Sequence, residues 1–106
     1  MFQEKMEIKN MRNGVGSVLI EKVNPLPINC KMYARITILP NSSIGEHIHF
    51  DDEEIVYVLE GTGTANVGNE LMDITTGSVH LVSKGMKHWI VNNSHKNLVI
   101  LAVINE

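Results

Sequence analysis

A single cysteine, Cys30, is all the thiol chemistry this 106-residue chain possesses. It excludes an intramolecular disulfide and leaves no second thiol to join it in a thiolate metal site. That scarcity fits a reducing compartment, and we expect a cytoplasmic protein. Long apolar runs are equally scarce: the longest, residues 98–104, has seven residues, against the roughly 20 needed to span a bilayer. Residues 1–10 mix Glu and Lys with isolated apolar residues, so the uninterrupted apolar core of a secretory signal is missing there. A membrane partner is therefore not expected. The nine Lys and Arg residues are scattered along a chain of net charge -3. They do not cluster as phosphate binding requires, which argues against nucleic acid as a partner. Also missing are internal repeats, low-complexity tracts, linkers and any sustained helical stripe.

What the chain does have is Val, Ile and Thr crowded into short segments, punctuated closely by Gly, Pro, Asn and Asp. That pattern predicts nine strands, over residues 17–23, 32–39, 46–50, 54–60, 63–67, 70–74, 78–82, 87–92 and 97–104. So many short strands in one chain predict an all-β sandwich or barrel. With 43% apolar residues, the chain can build one core, so we expect a single domain over 1–106, with 1–15 as an N-terminal arm or edge strand. Gly68-Asn69 suits a tight hairpin turn, because both residues tolerate positive φ. The two prolines of Asn24-Pro25-Leu26-Pro27 end the first long strand. The closing run, Leu98 to Ile104, has no polar alternation, which implies burial on both faces, one of them under a partner subunit or the N-terminal segment.

Chemistry concentrates in Gly45-Glu46-His47-Ile48-His49-Phe50-Asp51-Asp52-Glu53-Glu54. Residues two apart on a strand share a face, so His47 and His49 stand about 6.6 Å apart at the backbone and can lean onto one ion. If residues 50–53 form a loop, Glu54 begins the returning strand opposite His49 and adds a carboxylate from the neighbouring strand. His88 follows a turn around Gly85 on a strand whose inward positions would be His88, Ile90 and Asn92, and could supply a fourth ligand. Three imidazoles and one carboxylate suit one divalent transition metal ion (Mn, Fe, Co, Ni, Cu or Zn), whereas calcium prefers an all-oxygen shell. Against this stands the bland reading, in which the histidines are surface or satisfied core residues and the acidic run is a solvated loop.

These residues resemble the two signature motifs of the cupin superfamily. The first reads His47-x-His49, four residues, Glu54, six residues, Gly61; the second reads Gly77, five residues, Ser83-x-Gly85, two residues, His88, three residues, Asn92. Asn41 stands where the family places a leading glycine, although Gly45 is close by, and Ser83 stands where it places a proline. The resemblance implies a jelly-roll barrel, the double-stranded β-helix, made of two antiparallel sheets with the metal between them and His47, His49, Glu54 and His88 as its ligands.

Because the fold hosts many activities, function must come from the pocket. Four protein ligands on a six-coordinate metal leave two positions for water, substrate or O₂. Arg35, which shares a strand face with Tyr33 and Thr37, would pair with a substrate carboxylate if that face points inward. His80 could be a donor to a ligand or a general base. These two are the candidate catalytic residues. Val56, Val58 and Ile90 share the ligand face and predict an apolar cavity, suited to a small organic acid, diketone or aromatic compound rather than a phosphosugar. Phe50 and Met86 could flank the metal mouth, and His95 reads as a solvated loop residue. The expected protein is a metal-dependent enzyme with dioxygenase-like or related oxidative chemistry, or else an isomerase or lyase. The alternative is a non-catalytic metal- or small-ligand-binding regulatory module. Tyr57, Trp89 and the apolar last strand together suggest a homodimer.

Overall fold

The computed structural model describes residues 1–106. It contains ten strands: β1 (Met6–Lys9), β2 (Ser17–Lys22), β3 (Cys30–Ile38), β4 (Ser43–Ile48), β5 (Glu53–Glu60), β6 (Thr62–Val67), β7 (Glu70–Thr75), β8 (Val79–Val82), β9 (Lys87–Val91) and β10 (Leu98–Asn105). A single 3-10 turn, Met11–Asn13, is the one departure from strand and loop. The strands form two antiparallel sheets, one ordered β1-β2-β3-β10-β5-β8 and the other β4-β9-β6-β7. Nine of the strands match the expected ones to within three residues at either end. The tenth, β1, pairs with β2 along the edge of the larger sheet.

Burial follows period two and fixes which faces meet. Val18 and Ile20 on β2, Ala34, Ile36 and Ile38 on β3, Val56 and Val58 on β5, and Leu98, Ile100 and Ala102 on β10 point into one apolar core. Ile44, Ala65, Ile74 and Ile90 meet them from the smaller sheet. The last strand runs between β3 and β5, which accounts for its unbroken apolar sequence. Its inward side chains are fully buried, while Val99, Leu101 and Val103 are half-buried on the outer face.

The hairpin between β6 and β7 pairs Val67 with Glu70. Only Gly68 of its two turn residues takes a positive φ, at 63°, as a II′ turn asks of its first central residue. Asn92, completely buried, closes the other end of the barrel. Its amide nitrogen lies 2.8 Å from the Ile38 and Lys96 carbonyls and 3.2 Å from that of Leu39, and its side-chain oxygen accepts from Ser94 N and Oγ. The last residue of the second motif is thus a clamp on the loop at 93–97.

Two features of β4 place the site. Its pairing with β9 slips between Ile44 and His47, so that Ser43 and Ile44 oppose Val91 and Ile90 while His47 opposes His88. This bulge at Gly45-Glu46 changes the strand's parity, turning inward first Ile44 and then His47 and His49. At the same point the 3-10 turn lies directly on the strand. A Cβ on Gly45 would collide with the carbonyl oxygen of Arg12 and come within 2.7 Å of the Gly14 nitrogen, so only glycine permits the approach.

Candidate metal centre

His47, His49, Glu54 and His88 converge inside the barrel, with one potential ligand atom from each within 4.8 Å of all the others. The route differs in one respect from the sequence expectation. Glu54 is not the cross-strand neighbour of His49, because β4 pairs with β9, and β5 belongs to the other sheet, where Glu54 opposes Val82 and Ile104. The carboxylate therefore faces the histidines across the barrel interior. The residues at 49–52 form a crossover between sheets, not a hairpin turn.

Hydrogen bonds outside the cluster fix which ring nitrogens face it. Nδ1 of His47 lies 2.8 Å from the Gly45 carbonyl oxygen, which can only accept, so Nδ1 carries the proton and Nε2 keeps its lone pair. Nδ1 of His49 lies 2.7 Å from Oδ1 of Asp52. Burial by itself would raise the pKa of Asp52, but the hydrogen bonds from His49 and Lys31 outweigh it and hold the carboxyl below its ordinary range. An ionised Asp52 accepts, so His49 donates from Nδ1 and turns its Nε2 toward the cluster. For His47 the leading influence is burial, which lowers its pKa and keeps the ring neutral, with the charges of His88 and Arg12 acting in the same sense.

This donor set fits a metal ion. Nε2 of His88 lies 3.0 Å from His47 Nε2, 3.2 Å from His49 Nε2 and 3.0 Å from Glu54 Oε1, which is itself 3.1 Å from His49 Nε2. His47 brings no proton to these four atoms, its own being held by the Gly45 carbonyl, and Glu54 Oε1 is buried without a proper hydrogen-bond donor. Charged histidines would make these contacts ion pairs, and at His47 burial opposes that charge. Neighbouring ligand atoms at about 90° around an octahedral metal, at about 2.1 Å from it, stand about 3.0 Å apart, close to the 3.0–3.2 Å seen here.

The open side of the cluster faces a narrow cavity of about 60 Å³ lined by His47, Glu54, Met11, Arg12, Met32 and five isoleucines, among them Ile36 and Ile90. A cavity of that size holds about two water molecules and is well below the roughly 150 Å³ that admits benzene. The apolar wall was legible in the alternation of the strands. Arg12 was not, since nothing in Met11-Arg12-Asn13 distinguishes it from a surface turn. A larger concavity, about 860 Å³, lies at the opposite end of the barrel among Glu60, Thr62, Thr75 and residues 94–97, and gathers no comparable set of ligand atoms.

The remaining candidates separate clearly. Arg35 is not in the pocket: on β3 the inward residues are Ala34, Ile36 and Ile38, so Arg35 lies on the outer face, bonded at 3.0 and 3.1 Å to Glu21 and stacked 4.6 Å over Phe2. The condition for its role, an inward face, is not met. His80 is inward and buried, opposite Val56 on β8, with its ring centroid 6.5 Å from that of His88. Neither of its ring nitrogens has a partner, and burial lowers its pKa. Phe50 and Met86 are exposed on two loops joined by His49 N to Met86 O at 3.0 Å and Gly85 N to His49 O at 2.6 Å. His95 is exposed in its loop. Trp89 lies on the outer face of the smaller sheet and Tyr57 on that of the larger, so the two cannot belong to one continuous patch.

Two antiparallel sheets closed around three histidines and a glutamate define a jelly-roll barrel with a possible metal centre. The family model described as Cupin domain matches residues 34–104, and the chain belongs to the cupin family. It is 35% identical over 101 residues to an oxalate-binding protein of Thermotoga maritima, covering 92% of this chain and 83% of that one. A crystal structure described as a predicted oxalate decarboxylase from Thermotoga maritima superposes with a TM-score of 0.90 at 32% identity, covering 95% of this chain and 90% of that one. A cupin 2 conserved barrel domain protein from Rhodopseudomonas palustris superposes with a TM-score of 0.83 at 18% identity, over 96% and 70% of the two chains, which speaks to the fold alone. No helix is long and apolar enough to cross a membrane.

Proposed function

We propose that this chain binds one divalent transition metal ion through His47, His49, Glu54 and His88, and holds a small dicarboxylate such as oxalate at the metal's free positions. The observation that carries the proposal is the convergence of four ligand atoms, three of them on buried residues, around a Glu54 Oε1 that has no hydrogen-bond partner. When bound, the ion would act as a Lewis acid toward carboxylate oxygens. The chain's own contribution is orientation and exclusion. Gly45 O and Asp52 hold two imidazoles in the ligating tautomer, and the isoleucine wall admits only a ligand of a few heavy atoms. The cavity size disfavours the aromatic substrates considered from sequence and favours a small organic acid, the class to which the names of the Thermotoga relatives point.

Binding without turnover is the simplest form of this proposal. Dioxygenase-like oxidation or decarboxylation is its catalytic form, and His80 is the observation in favour. It is a neutral imidazole with unpartnered nitrogens behind His88, suited to steadying that ligand or carrying a proton. It does not line the 60 Å³ cavity, so we assign it a positioning role. Elemental analysis should find about one metal per chain, lost in His49→Ala and His88→Ala, and calorimetry should detect oxalate only with metal-loaded protein. Full metal retention in both variants would sink the site. Oxygen uptake or CO₂ release on oxalate and small diketones then separates enzyme from binding module.

We also propose that a second copy of the chain covers the outer face of β5 and β8. There Ile55 and Leu81, and Tyr57 and Val79, form adjacent cross-strand pairs that are all at least two-fifths exposed. Cys30, with its thiol 3.3 Å from the Met32 carbonyl, is the only thiol, which supports a cytoplasmic setting.

A further inference from the structure

We infer that Arg12, carried into the mouth of the barrel by the 3-10 turn, is the residue that recognises the distal carboxylate of the ligand and so determines specificity for a dianion. The inference rests on the dicarboxylate reading above and adds to it a residue from outside both signature motifs.

Placement comes first. Arg12 lines the cavity onto which His47 and Glu54 open, and it is the only cationic side chain there, the rest being apolar apart from those two ligands. His49 and His88 do not line that cavity, so the accessible side of the cluster is the side Arg12 faces. Its guanidinium has no carboxylate partner, whereas Arg35 is paired with Glu21 and Lys31 with Asp51 and Asp52.

Charge balance points the same way. A divalent ion held by one carboxylate and three neutral imidazoles leaves a site of charge +1. A dianion bound there would leave -1 in a cavity walled by isoleucine, where uncompensated charge is costly. One guanidinium restores neutrality, and its planar fork matches a carboxylate that the metal does not hold. A monocarboxylate needs no such partner, because the site is already neutral once it binds.

The backbone supports the assignment. Asn10, Arg12 and Asn13 all have positive φ, at 53°, 54° and 63°. Asparagine is tolerated in that region and arginine is disfavoured. The turn is nonetheless fixed: Asn13 N donates to Asn10 O, Gly14 N to Met11 O, and Asn10 Nδ2 to Gly14 O. It is seated on β4 at Gly45, with Ser43 N donating to Val15 O and Val15 N to Ser43 Oγ. Strain retained on a rigid support at the mouth of a site suggests selection for the side chain rather than for the turn.

The test uses full-length metal-loaded protein and the variants Arg12→Asn and Arg12→Lys, titrated with oxalate and with acetate. Arg12→Asn removes the charge but suits the positive φ, so metal content and folding should stay at wild-type levels. Oxalate affinity should fall about 10- to 100-fold, acetate affinity no more than a few-fold, and Arg12→Lys should recover part of the loss. Oxalate affinity in Arg12→Asn within twofold of wild type, with metal retained, overturns the assignment and leaves the dicarboxylate reading standing. Equal losses for oxalate and acetate also overturn it, since they would show a nonselective effect on the metal. Wild-type loaded protein that fails to bind oxalate overturns both.

Discussion

Replacing Glu54 by glutamine should stabilise the metal-free protein and weaken the metal-loaded one, opposite signs from one substitution. Glu54 is 6% exposed, and its Oε1 has only His49 and His88 Nε2 within reach. With His47 holding its proton on Nδ1, Oε1 finds no proper donor and stays buried with its hydrogen bonding unsatisfied. A buried polar atom left in that state costs about 1–3 kcal/mol, more when charged. Glutamine is nearly isosteric, removes the charge and brings two N–H donors to the histidine lone pairs. The metal-free variant should therefore gain about 1–2 kcal/mol, which for a chain of this size raises Tm by about 4–12 °C. In excess metal the order reverses. The wild type gains about 2.7 kcal/mol when free metal is 100 times Kd, and the variant, with its anionic ligand gone, gains far less. Urea or thermal unfolding with chelator and with added Mn²⁺, Co²⁺ or Ni²⁺ reads both signs. If the substitution destabilises the chelated protein, the metal-free cluster is an ion-paired network of charged histidines and the reasoning about an unsatisfied Glu54 is refuted; if added metal stabilises both proteins equally, Glu54 is not a ligand.

Four further outcomes follow from the same coordinates. Gly45→Ala should cost about 1–3 kcal/mol, because its Cβ meets backbone atoms of the 3-10 turn that cannot yield without leaving β4; unchanged urea unfolding would contradict the close approach. Asn92→Ala should cost about 2–4 kcal/mol, since it removes a donor from the Ile38 carbonyl and the acceptor of Ser94 N, while Lys96 O keeps Ser94 Oγ, and a loss under 1 kcal/mol would show that water replaces the clamp. In metal-free protein, stability should decline as pH drops below about 6.5. His47 and His80 have folded pKa values lowered from 6.5, so below that value the unfolded chain binds more protons. A flat profile between pH 7 and 5.5 would count against buried neutral rings. Leu81→Lys should convert a dimer to a monomer by light scattering with little change in metal content, and an unchanged mass would exclude the β5–β8 face as the contact.

Much of this was legible in the chain because it depends on period two and on ligand spacing. Alternation placed Val56, Val58, His88, Ile90 and Asn92 on inner faces, and the four residues that converge in the barrel could be read from local spacing. What failed depended on which strands are neighbours. Glu54 reads as the hairpin partner of His49 only if β4 and β5 pair, and pairing between sheets leaves no mark on a single strand's pattern. The bulge at Gly45-Glu46 is equally silent: simple alternation from Ile44 would have turned Glu46 and Ile48 inward. Arg35 had even odds of facing either way until the β3 register settled it. Arg12 was invisible because its position comes from a turn packed against a strand 30 or more residues away, and from a backbone conformation that arginine rarely adopts.

Gly45 links the two halves of the site. The bulge it shares with Glu46 turns His47 and His49 toward His88 and Glu54, and its missing side chain lets the 3-10 turn bring Arg12 over the same ligands. The proposed metal binding and anion recognition thus depend on one backbone position but on separate side chains, and that predicts an ordering among variants. Arg12→Asn should lose the dianion and keep the metal. His88→Ala should lose the metal, and the dianion with it, while the 3-10 turn stays seated. Gly45→Ala should weaken both, because it disturbs the orientation of His47 and the seat of Arg12 together. Were metal binding intact in Gly45→Ala while the dianion was lost, the bulge would owe its form to the turn rather than to the histidines, and the parity change in β4 would be a consequence of that packing.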